Sequence, residues 1–107
     1  MSEYRYFLCD IYEDDELLHE KVETAVYIGD GHLKEFSEKR RFKEAAEDVV
    51  EEKCLDEVER DYEGGEYIFK VIVTEVSTNQ KRSVTVQIEA EQTVEFGVAV
   101  IEEKEYE

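Results

Sequence analysis

The sequence predicts an α+β domain of two layers: a mainly antiparallel sheet of about five strands with one long or bent helix packed on one face. Three observations lead there. Residues 33–62, LKEFSEKRRFKEAAEDVVEEKCLDEVERDY, form the one segment long enough and free enough of glycine and proline for a substantial helix. The flanking segments are rich in β-branched and aromatic residues that recur with a period of two. The connections between the last strands are short, as in an antiparallel meander. The expected order is β-β-α-β-β-β in a single domain over residues 1–107, with 102–107 as a fraying tail.

Residues 4–12, YRYFLCDIY, read as the first strand. Phe7, Cys9 and Ile11 share one face and Tyr4, Tyr6 and Leu8 the other. Both faces are apolar, so the strand is expected to be central or covered on both sides. The acid run Glu13-Asp14-Asp15-Glu16 ends it. Leu17 and Leu18 belong to a helical turn or to the start of the next strand. In 22–28, Val22, Thr24, Val26 and Ile28 share a face. These two strands make a hairpin with a long acidic connection, and Gly29-Asp30-Gly31 closes it.

The helix has Ser37 as a candidate N-cap, or begins earlier, near Gly31 or His32. Phe42, Ala45, Ala46, Val49 and Val50 fall on one face, with Cys54 on its edge. Leu55, Val58 and Tyr62 keep helical spacing but project to nearly the opposite side. Either the helix bends near residues 53–56, so that both stripes reach one core, or it continues and offers a second apolar contact. Lys34, Lys39, Arg40, Arg41 and Lys43 make its start basic, and acids dominate from Glu44 to Asp61. That arrangement opposes the helix dipole, at some tenths of a kcal/mol per exposed charge. Gly64-Gly65 ends the segment. Strands are then expected at 66–76, 83–90 and 93–101, the second being the cleanest, with Val84, Val86, Ile88 and Ala90 alternating with polar residues.

Composition narrows the function. Charged residues reach 40%, against about 25% in an average domain, and the net charge is -17. Such a charge repels nucleic acid and anionic lipid, so neither is an expected direct partner. It suits a basic protein surface. Two cysteines make no disulfide framework, no signal peptide is visible and no long apolar run occurs, so a cytoplasmic protein in a reducing compartment is expected.

No cofactor, metal site or catalytic motif stands out, and an enzyme is not expected. The acid run at Glu13 lacks the alternating spacing, glycine and distal Glu of a calcium loop. His19, His32, Cys9 and Cys54 have no paired zinc spacing. Both cysteines read as small buried hydrophobes.

The acidic helix points further. Glu44, Glu47, Asp48, Glu51 and Glu52 lie on it, at a density of about one carboxylate per 3 Å over the acidic stretch. One DNA strand carries a phosphate per roughly 3.4 Å. In charge and size alone, the chain resembles small phage-encoded inhibitors of restriction or CRISPR nucleases. Two functions are therefore weighed. One is an acidic module that occupies a basic groove of a nucleic-acid-processing protein by mimicking nucleic-acid charge. The other is a self-associating structural or regulatory module, a homodimer through Leu55, Val58 and Tyr62.

Overall fold

The computed structural model describes residues 4–29, 34–55, 58, 66–91 and 95–105. Five strands and one helix follow in the order β1 (Tyr4–Glu13), β2 (Glu16–Tyr27), α1 (Lys34–Lys53), β3 (Glu66–Glu75), β4 (Lys81–Glu91) and β5 (Glu95–Glu105). The sheet order is β2-β1-β3-β4-β5, antiparallel throughout, and α1 covers one face. This is the α+β two-layer architecture that the periodicity predicts. β1 is internal, between β2 and β3, but its second face is open: Tyr6 is 56% exposed. The apolar content of that face therefore does not signal a covering layer.

The β1–β2 connection is shorter than the acid run suggests. Glu13 and Glu16 already pair, leaving Asp14 and Asp15 as a two-residue turn. Their φ values of 50° and 66° are those of a type I′ hairpin, in which aspartate is tolerated. Leu17 and Leu18 thus belong to β2. Their adjacency breaks the alternation that leads to Val22, and the strand absorbs the mismatch by bulging. The register shifts between Cys9 and Ile11 and again between Ile11 and Tyr12. Lys21, at φ 52°, donates its backbone N–H to Asp10 Oδ1 at 2.8 Å. Beyond the bulge, Val22, Val26 and Ile28 are buried.

In α1 the predicted stripe is the buried one: Phe42, Ala45, Ala46, Val49 and Val50. Ser37 lies inside the helix and is not its N-cap. The two alanines leave room for the backbone to approach the sheet. The phase problem resolves at Cys54, which sits in a turn between helical residues. Helical i→i−4 bonds persist on both sides, from Cys54 N to Val50 O at 2.8 Å and from Val58 N to Cys54 O at 3.0 Å. Cys54 and Val58 are both buried in the common core and Leu55 packs against it. Cys54 and Val58 thus belong to the same core as the first stripe. Gly64-Gly65 and Tyr62 lie outside the described residues.

The core joins Phe7, Cys9 and Ile11 of β1, Phe69, Val71 and Val73 of β3, and Val84, Val86 and Ile88 of β4 to that helix face. Phe7 and Phe42 meet edge to face with centroids 5.3 Å apart. β5 continues through Glu105, with Glu102 to Glu105 paired to β4 across a bulge. Phe42 is the largest side chain that the helix inserts. Phe42→Ala should lower unfolding stability by about 3–5 kcal/mol. Urea denaturation followed by circular dichroism measures this, and a loss under about 1 kcal/mol would show that the helix does not depend on this contact.

Candidate acidic interface

Two cations from the basic start of α1, Arg41 and Lys43, reach acids of the sheet, while Lys39 and Arg40 pair with Glu35 and Glu47 of the helix itself. The next outward step of the Phe69, Val71, Val73 row on β3 is Glu75, which therefore faces the helix and is only 2% exposed. Arg41 donates from Nε to its Oε2 at 2.7 Å, and the Thr78 hydroxyl donates to its Oε1 at 2.7 Å. Arg41 also donates to the Glu38 carbonyl at 2.7 Å and stacks over Phe42, 4.8 Å from its centroid. Further along, Glu103 of β5 takes both Lys43, at 3.9 Å, and Arg82, at 3.3 Å. Arg5 of β1 meets Glu38 at 3.1 Å. Burial pushes the Glu75 carboxyl up, but the Arg41 and Thr78 hydrogen bonds and the Arg41 and Arg5 charges outweigh it and hold the group below the usual glutamate range.

The acidic half faces away. Asp48, Glu51 and Glu52 are exposed, and Glu44 and Glu47 are half-buried. Spaced i, i+3, i+4 and i+7, Glu44, Glu47, Asp48 and Glu51 form one row on the helix. Arg40 approaches Glu47 at 3.9 Å and Lys53 approaches Glu52 at 3.9 Å. Among the described residues, Glu44, Asp48 and Glu51 make no ion pair. The row is electrostatically crowded. Partial burial raises the Glu47 carboxyl; Arg40 opposes this, while Glu51, Asp48 and Glu44 add to it. Partial burial also raises Asp48, with Glu51, Glu44 and Glu52 contributing.

The second predicted surface is described only in part. Val58, 5% exposed, belongs to the core and Leu55 leans on it, while Tyr62 is outside the described residues. Two neighbours of the acidic row escape a reading of the helix alone. Glu20 and His19 of β2 line a shallow cleft of about 390 Å³ beside Glu52 and Lys53. Only the packing of α1 across β2 brings them there. Glu75 was more accessible to reasoning, since it continues an apolar row with period two.

Cys9 and Cys54 are buried, and burial, then the Asp10 and Asp48 charges, push the Cys9 thiol up to about 12. That thiol stays protonated at neutral pH and is no nucleophile. His32 lies outside the described residues. Among the described residues, no group of three or more His, Cys, Asp or Glu side chains is arranged to hold a metal ion, and no helix is long and apolar enough to cross a membrane.

Two opposed linkages follow. The folded pKa of Glu75 is lowered, so its contribution is present above the ordinary glutamate range and is lost as pH falls through the folded value. Glu47 and Asp48 are raised, so their contribution is fully present below the unfolded values and is lost as pH rises through the folded ones. The urea midpoint should therefore rise on mild acidification from neutrality, then fall below the ordinary glutamate pKa of about 4.3. A variant carrying Glu47→Gln and Asp48→Asn should show less of the rise; an identical profile would contradict the assignment. Comparison with known protein families, with characterised proteins and with solved structures finds no match to this chain, so the acidic face is read from its geometry and charge.

Proposed function

We propose that this protein is an acidic protein-binding module of the phage-inhibitor type, which seats its helix in the basic groove of a restriction or CRISPR nuclease or a similar nucleic-acid-processing protein. The observation that carries the reading is the crowded row Glu44, Glu47, Asp48 and Glu51, in which two carboxyls are held above their ordinary range. Like charges kept at close quarters cost free energy in the unbound protein. A partner that brings lysine and arginine to the row relieves that cost and adds charge-assisted hydrogen bonds.

The geometry is compatible with a phosphate track. From Glu44 to Glu51 the helix rises about 10 Å, a span that holds roughly three phosphates of one DNA strand. Glu52 broadens the row toward β2. No catalytic step is needed: the module acts by occupying the groove. Positive partner charges favour the ionised forms of Glu47 and Asp48, so binding should weaken as the pH falls through their raised values.

Competition against a short labelled DNA duplex, bound to each of a panel of restriction and CRISPR nucleases, tests the proposal. The protein should displace DNA from at least one of them, and displacement should fall steeply as salt rises from about 50 to about 200 mM. The charge-reversed variant Glu44→Lys, Glu47→Lys, Asp48→Lys, Glu51→Lys should lose the effect while retaining its circular dichroism spectrum. Displacement unchanged in that variant, or independent of salt, would refute the role of the row.

A further inference from the structure

A cleft of about 580 Å³ opens between the first half of α1 and strands β4 and β5. Four cations line it, Lys39, Arg41, Lys43 and Arg82, with Glu102 and Glu103 as the lining acids. Two other clefts have the reverse balance. One sets Lys70 against Asp14 and Asp15, the other Lys21 and Lys53 against Glu20, Glu23 and Glu52.

The ion pairs of the first cleft leave it short of acceptors. Arg41 is taken up by Glu75 at 2.7 Å and Lys39 approaches Glu35 at 3.6 Å. Glu102 lies 3.7 Å from Lys104. Lys43 and Arg82 are left with one carboxylate, Glu103. Its Oε1 accepts from Arg82 Nη1 at 3.3 Å. Its Oε2 is 3.9 Å from Lys43 Nζ, beyond hydrogen-bond reach. Arg82 Nε is buried and meets no acceptor among the described residues. Glu105, opposite Arg82 in the register, is exposed and makes no ion pair among the described residues.

The acceptor that would complete this cluster has a definite chemistry. The Arg82 guanidinium lies over Phe42, 5.2 Å from the ring centroid, and Glu103 holds it from one side. Its Nε edge is therefore preorganised to donate side by side to two oxygens of one anion. Lys43 reaches in from the helix as a flexible point charge and suits a further oxygen. A phosphate group has oxygens enough to serve both residues at once. Val100 and the half-exposed Ile101 supply an apolar wall beside them. The volume falls in the range of small-molecule sites, roughly 300–1,000 Å³. The net charge of -17 opposes the approach of any anion, but at physiological salt fields are screened beyond about 8 Å. Contact is then decided by the charges within the cleft.

We propose that this cleft binds the phosphate group of a small molecule, with Arg82 and Lys43 donating to its oxygens and Val100 and Ile101 packing against the remainder. The site is separate from the acidic row and does not depend on what that row binds.

Titration of the protein with inorganic phosphate and with phenyl phosphate, followed by ¹H–¹⁵N NMR at constant ionic strength, tests it. The Arg82 Nε–H signal and the amides of Lys43 and Ile101 should shift and saturate. Phenyl phosphate binding the more tightly assigns the cleft to a monoester, and equal affinity assigns it to the free ion. Arg82→Gln and Lys43→Gln should each weaken binding about tenfold, the loss of one charge-assisted contact. Lys70→Gln, which removes an exposed cation on β3, should leave the affinity unchanged. Lys43 is half-exposed on the helix, so its variant reads the site even if the Arg82 variant fails to fold. Shifts that do not saturate, that chloride reproduces at the same ionic strength, or that survive unchanged in Lys43→Gln and in folded Arg82→Gln overturn the proposal.

Discussion

The pairing of Arg41 with Glu75 is the interaction on which the rest of the structure turns. Glu75 is the one charged side chain among the described residues placed fully inside the boundary between helix and sheet. A carboxylate in that position is tolerable only with a partner and further hydrogen bonds. Arg41 and Thr78 supply both. Removing one member of such a pair costs about 3–5 kcal/mol, because the other charge is left buried. The pair also sets the helix in register. Arg41 lies beside Phe42 in sequence, so anchoring one guides the other into the pocket against Phe7.

From that anchor follows a sorting of charge. The sheet presents Glu75 and Glu103 to the first half of the helix, and Arg41 and Lys43 of that half meet them. In the second half Glu47 has Arg40 and Glu52 has Lys53, and among the described residues Glu44, Asp48 and Glu51 make no ion pair. A chain with this much negative charge thus keeps a crowded acidic row over the helix. The basic start of the helix, unfavourable for the helix dipole at some tenths of a kcal/mol per charge, gains more from part-buried partners on the sheet. The acidic half is what remains on the outer side of the helix.

Much of this was legible in the residues. Period-two rows located all five strands, and the stripe Phe42, Ala45, Ala46, Val49, Val50 named the buried helix face. Local patterns suffice where one side of an element meets the core. The failures are of another kind. The two-residue turn at Asp14 and Asp15 looked like a longer acidic loop, because a double leucine and a bulge hide the alternation of β2. Of the two readings of the second stripe, Val58 follows the one in which it reaches the core, and Tyr62 lies outside the described residues. The acidic row itself was readable from helical spacing. Its crowding was not: partial burial beside the sheet and the pairing of Arg41 and Lys43 with Glu75 and Glu103 are tertiary facts.

Site-resolved carboxyl titration by NMR tests that division of charge most directly. Glu47 and Asp48 should titrate above the ordinary values for their types, about 4.3 and 3.9, and Glu75 below its own. If all three titrate at their ordinary values, or if Glu75 titrates above Glu47, the helix does not spend its cations on the sheet, and the account of the acidic row is wrong.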